Sequence, residues 1–272
     1  MSVDAELRLL NIDIPAQPEV LVRLSLLLAE EDVDLKAVSL LLESDMALAS
    51  AVLRAVNSSM YGMSGRVQSV QQAITYLGTR EVTAVTFEMG LRAVFAPAPE
   101  LEPMWQRASL RGLLMGRMAQ RLDIDAWVAH SAGLFEECGK AVLFRHARDR
   151  YRPMLKAGPL DLELCELERE AFGVSHDALG GALCETWGLA NAAVVSVRSH
   201  VRVQAALKLP DNPATRDIAA LSALAAALMN DVSTIPTVAE LLAPQLAVAE
   251  GDLIDAARRV EELVDRQRDS TA

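Results

Sequence analysis

Apolar residues recur at every third or fourth position along almost the whole chain, and sustained alternation of apolar with polar residues is missing. A helix repeats about every 3.6 residues and a strand about every two, so this pattern supplies helices and no sheet. The expected fold class is all-α. The chain has 272 residues, 51% of them hydrophobic, enough to bury a substantial core as one large domain or two modest ones.

Turn and cap residues divide the pattern. Pro18 suits the first turn of a helix reaching about Leu28, after which AEEDVD makes a polar turn. Ser44 or Asp45 can accept the free amides that open MALASAVLRAVN, and that helix stops at the turn-rich NSSMYGMSG. Ser69 and Gln72 have the Ser-x-x-Gln form of a capping box for VQQAITYL. Further on, APAPELEP carries three prolines in eight residues and reads as a linker or rigid corner. The expected organisation is therefore an N-terminal helical lobe over 1–95, a second helical lobe over 104–210 and a helical extension over 211–272. In the second lobe, a long helix around WQRASLRGLLMGRMAQRL is followed by the AWVAHSAGLFEECGKAVLFRHA region, and Ser175 then caps HDALGGALCETW.

Charge narrows the function. The formal charge of -11 is spread over the chain: residues 1–100 hold 13 acidic against 7 basic side chains, and the remainder 24 against 19. Such a surface repels phosphate backbones and anionic lipid, so neither bulk nucleic-acid binding nor membrane binding is expected. The longest apolar run, IAALSALAAALM, is too short to span a bilayer, and the N-terminus lacks the basic start and apolar core of a secretion signal. Cys138, Cys165 and Cys184 are widely spaced, with no CxxC pair, and read as buried thiols in a reducing compartment. A cytoplasmic location is expected.

Chemistry concentrates in one stretch, GLFEECGK at 133–140, which sets adjacent carboxylates Glu136 and Glu137 between apolar residues and a glycine. Two longer segments then form an ordered series. Residues 41–82 contain Asp45, Asn57-Ser58, Tyr61-Gly62, Ser69, Ala73-Ile74 and Leu77-Gly78. The later segment runs through Trp105, GLFEECGK, FGVSHDALGGALCETWGL and Arg198-Ser199-His200. In this order they resemble the HDOD domain family over about residues 10 to 205, with Met46 standing where the family usually has proline. The resemblance implies a helical HDOD fold, an N-terminal lobe packed on a degenerate HD-like lobe. It also implies a noncatalytic, regulatory role in bacterial signal transduction, exercised by protein–protein interaction.

Active HD enzymes assemble a divalent metal site from histidines and aspartates. At the matching positions this chain has Arg107 for the first His, Glu136-Glu137 for the His-Asp doublet, and His176 and His200 for later histidines. The late Asp has no clear counterpart near Ser222. A guanidinium at a ligand position opposes a metal electrostatically, so no metal, cofactor or catalytic residue is expected. His176, directly after Ser175, reads as part of a helix start, and His200 as a surface or capping residue. Two other readings stay open. One is a divergent metal-dependent phosphohydrolase using Glu136, Glu137, His176 and His200. The other is a nucleotide or cyclic-dinucleotide sensor with Arg107, Arg198 and Arg202 as anion contacts. In the first lobe, Asn57, Ser58, Met60, Tyr61 and Met63 form a candidate interaction loop, because flexible and aromatic side chains at a turn suit partner docking.

Overall fold

The computed structural model describes residues 10–28, 33–58, 67–157 and 160–269, with side chains through 263. Helices are the only extended secondary structure among them. The chain divides into two compact units, one of residues 16–95 with 261–272, the other of residues 1–15 with 96–260.

In the first unit the helices are α1 (Glu19–Leu28), α2 (Leu35–Glu43), α3 (Met46–Val56), α4 (Val70–Leu77) and α5 (Thr79–Ala93). Local chemistry fixes where they start. Asp34 Oδ1 accepts the amides of Lys36 and Ala37, and Asp45 Oδ1 those of Ala47 and Leu48 at 3.0 Å. Ser69 Oγ accepts from the Gln72 amide at 3.1 Å, while the Gln72 side chain accepts from Gln68 rather than from Ser69, so the capping box is closed one residue early. Gly78 joins α4 to α5 at φ +88, in the left-handed region that favours glycine. The apolar stripes meet in a core that includes Leu21, Leu42, Val52, Val56, Ala73, Val85 and Leu91.

The other unit carries the chemistry. Its helices are α6 (Glu102–Arg121), α7 (Ala126–Phe135), α8 (Cys138–His146), α9 (Arg148–Ala157), α10 (Asp161–Phe172), α11 (His176–Thr186), α12 (Asn191–Ala206), α13 (Pro213–Asn230), α14 (Ile235–Leu242) and the part of α15 (Glu250–Asp269) that runs to residue 260. α6 packs on α7 and α13, while α12 packs on α7, α11 and α13. α11 also packs against α8, and glycine makes that approach close: a Cβ on Gly139 would stand 1.9 Å from the backbone oxygen of His176. The N-terminal strand of chain is tied into the same unit, where the Trp187 indole N–H donates to Pro15 O at 2.9 Å and Arg145 pairs with Asp13 at 2.7 Å.

The region 126–147 forms two helices, and the break between α7 and α8 falls on Glu136 and Glu137. One local expectation needs correction. Ser175 does stand at the N-cap of α11, yet its hydroxyl donates to the Asp177 carboxylate instead of accepting an amide. The free amides there are met by Glu168, which accepts from His176 N at 2.7 Å, and by Asp177, which accepts from Ala178 N at 2.8 Å.

Candidate functional site

The α7–α8 break puts both carboxylates in the interior, with Glu136 and Glu137 each fully buried. Burying one uncompensated charge costs several kcal/mol, on the order of the stability of a whole domain, so each must find a counter-charge. Glu137 finds three. Arg107 reaches it with two guanidinium nitrogens, Arg111 Nη1 lies 2.8 Å from Oε1, and Lys140 Nζ lies 3.0 Å from Oε2. Arg107 and Arg111 come from successive turns of α6 on one face, and Lys140 sits three residues after Glu137, the spacing that places side chains side by side. Burial alone would raise the Glu137 pKa, but Lys140, Arg111 and Arg107 together hold it well below the usual carboxylate value of 4.5.

Glu136 is tied less completely. Its Oε2 pairs with Arg111 Nε at 3.2 Å and accepts from Gln204 Nε2 at 3.0 Å, while Oε1 is buried without a hydrogen-bond partner. Gln204 also donates to Ser222 Oγ at 3.0 Å. Ser222, which stands where a late aspartate was sought, is therefore linked to the doublet through one amide.

A second polar cluster joins α10, α11 and α12. His200, expected as a surface or capping residue, is buried, and so is His176. His176 Nδ1 donates to Glu168 Oε2 at 2.7 Å, and Glu168 Oε1 is held by the Tyr151 hydroxyl. His200 Nδ1 donates to the Val197 carbonyl at 2.7 Å. With Nδ1 spoken for, the acceptor left on each ring is Nε2, and both Nε2 atoms are buried with no partner. Asp161 completes a trio in which one ligand atom from each residue lies within 4.8 Å of the others. Burial pushes His200 below the usual imidazole value of 6.5, a neutral ring with a free lone pair. For Asp161, burial acts to raise the pKa, but Lys140 Nζ at 2.5 Å, aided by the two imidazoles, pulls it below 3.8.

Thiol chemistry has no support in this geometry. Cys138 and Cys184 are fully buried and burial drives both pKa values up, so neither offers a thiolate. Cys165 Sγ sits 3.6 Å from His176 Nδ1, and burial lifts its pKa to about 12.

The anion contacts named from the sequence go separate ways. Arg107 is on Glu137, Arg198 Nη2 is 3.1 Å from Glu185, and Arg202 is exposed. In the first unit, Asn57 is a clamp: its side chain donates to Leu53 O and Val67 O and accepts from Val67 N, which ties the end of α3 to Val67. Ser58 is exposed, and Met60, Tyr61 and Met63 lie outside the described residues.

Lys140, Asp161, Glu168 and Gln204 are members of these clusters that the sequence reading did not single out. One signal could have found two of them. Asp161, Leu164, Cys165 and Glu168 recur at three- and four-residue spacing, which puts two carboxylates on the apolar face of α10.

The model of the HDOD domain family matches residues 14–203, and the chain belongs to that family. It is 26% identical over 202 residues to an uncharacterised protein of Treponema pallidum (strain Nichols), a match covering 69% of this chain and 37% of that curated relative's length. Among solved structures it is similar to a candidate phosphohydrolase from Shewanella amazonensis SB2B, with TM-score 0.70, 18% identity and 98% of each chain covered. It is also similar to a candidate signal-transduction protein from Marinobacter aquaeolei VT8, with TM-score 0.72, 19% identity, 95% of this chain and 60% of that one. These identities establish the fold.

The resemblance to HD enzymes implies a divalent metal at the doublet. The residues here do not fit one, because Glu137 has both oxygens engaged by protein cations and Arg107 supplies positive charge where a ligand should be.

Proposed function

We propose that this HDOD chain is a noncatalytic regulatory module of bacterial signal transduction, working in the cytoplasm through contact with protein partners. The observation that carries the reading is the set of three cations on Glu137. With Arg107, Arg111 and Lys140 in place, both oxygens of Glu137 face protein cations rather than the metal on which an HD enzyme would activate water. The ion pairs tie α6 to α8 instead.

A partner surface has support in the first unit, where Leu26, Leu40, Met46 and Tyr76 are exposed, Met46 at 80%. Large apolar side chains left in water favour association. An anion-sensor reading is less favoured, since a phosphate would have to displace Glu137 from Arg107 or Glu185 from Arg198.

Two measurements test the reading. Aryl phosphodiester and cyclic dinucleotides are incubated with the full chain in Mn2+ or Mg2+, and no hydrolysis above the level of the Glu137→Gln variant is expected. A photo-crosslinker placed at Tyr76 should trap a discrete protein in cells. Turnover abolished by Glu136→Ala would overturn the noncatalytic assignment.

A further inference from the structure

The orphaned imidazole nitrogens have a use that does not depend on the acidic doublet. We propose that Asp161, His176 and His200 bind a single divalent transition-metal ion of the zinc class, through one carboxylate oxygen and the two Nε2 atoms.

The site is built from acceptors only. Each ring gives its Nδ1–H to a protein acceptor and keeps a buried Nε2 that no protein group meets. Leaving such atoms buried and unpaired costs stability, so an occupant that accepts lone pairs is favoured. The rings are neighbours, with centroids 5.6 Å apart. Metal–ligand bonds of about 2.0–2.2 Å put tetrahedral ligands roughly 3.4 Å from one another, and the trio already lies within 4.8 Å. Small side-chain rotations close the difference.

The surroundings match what metal-binding histidines need. Glu168 holds His176 through Nδ1, the carboxylate–histidine pairing that fixes the tautomer and strengthens the ring as a ligand, and Tyr151 in turn holds Glu168. Val197 O does the same for His200. Asp161 keeps 30% of its side chain exposed, which gives an ion a way in from solvent. Lys140 is the opposing charge and binds Asp161 Oδ1, leaving the second oxygen as ligand. Two imidazoles with one carboxylate select zinc, cobalt or iron(II) over magnesium or calcium, and three protein ligands leave a coordination position open. An ion here would clamp α10, α11 and α12 together and needs no hydrolysis, so the proposal stands or falls apart from the noncatalytic reading.

The test titrates chelator-stripped full chain with Co2+ and Zn2+, reading visible absorption and metal content after desalting. One ion per chain is expected, with His176→Gln and His200→Gln each weakening binding by about 100-fold, and with His146→Gln, at an exposed histidine, leaving it unchanged. In unsubstituted protein, long-range proton–nitrogen spectra should show Zn2+ moving the Nε2 resonances of two histidines while their Nδ1 protons persist, a readout independent of any variant's folding. Absence of stoichiometric binding, or binding indifferent to His200→Gln, would overturn the proposal. A thiolate-to-cobalt absorption band lost in Cys165→Ser would also overturn it, by moving the ion to the neighbouring Cys165, Glu168 and His176 set.

Discussion

At the α7–α8 break each buried carboxylate has a protein cation beside it, Arg107, Arg111 and Lys140 on Glu137 and Arg111 on Glu136. At the α10–α12 cluster two ring nitrogens have nothing opposite them. Both regions lie in one compact unit and share Lys140, which touches Glu137 on one side and Asp161 on the other. The difference shows two ways of handling polarity that cannot reach water. One region neutralises its charge with residues of its own chain, and the other leaves lone pairs for something from outside. The first arrangement makes a structural tie, while the second leaves chemistry available.

The sharpest way to break that contrast is Glu137→Gln. It leaves Arg111 and Lys140 buried with half their counter-charge gone, and removing one partner of a buried pair costs about 3–5 kcal/mol. Urea denaturation should show that loss at pH 7. A loss below about 1 kcal/mol would mean that water already screens the doublet and that the two regions do not differ in kind.

Gly139→Ala comes next. Its Cβ would collide with the His176 backbone, so α8 and α11 must separate, at a cost of about 1–3 kcal/mol from overpacking. The same shift displaces the imidazole from its partners, so the Co2+ spectrum should weaken along with stability. Stability lost with the spectrum intact would show that the cluster tolerates movement of α11.

Acid separates the regions by the order in which they fail. Burial depresses His200 below 6.5 and His130 to about 4. For a histidine held neutral in the fold, the unfolded chain takes up the proton first, so its stabilising contribution is present above pH 6.5 and is lost as pH falls toward the folded value. His130 accounts for about 1 kcal/mol of loss by pH 5.5. Glu137 runs at lower pH: its depressed pKa contributes above 4.5, and that contribution goes only as pH falls further. Unfolding free energy measured from pH 7 to 4 should therefore decline before Glu137 protonates, and the decline should be shallower in His130→Gln.

What could be read in the sequence was what local rules govern. Asp45 and Ser69 cap helices because a side-chain oxygen two or three residues from a free amide needs no distant partner. Arg107, Glu136 and Glu137 were picked out by family resemblance, and the structure brings these three together. Ser175 misled because the same residue type that accepts amides can donate to a carboxylate two residues on. Asp161 escaped notice for a related reason: an acidic residue opening a helix is favoured by the helix dipole alone, so nothing local marks it as facing Lys140 from 21 residues away. Whether a buried histidine is satisfied depends on atoms from other helices, and no spacing rule reports that.

Arg107→Ala is the smallest predicted effect and the finest probe of the comparison. Arg107 has 48% of its side chain exposed, whereas Arg111 has 6%, although both bind Glu137. Exposed pairs contribute about 0.2–1 kcal/mol, so the variant should lose roughly 0.5 kcal/mol and keep a folded core. Arg111 and Lys140 would still hold Glu137 ionised, and the onset of acid unfolding should not move. If the onset instead rises toward pH 4.5, three cations are needed to keep the carboxylate charged, and Arg107 is part of the tie rather than its rim. Cobalt binding at Asp161, His176 and His200 should persist either way, since the hydrogen bonds of Arg107 go to Glu137 and its tie to Asp161 is electrostatic only.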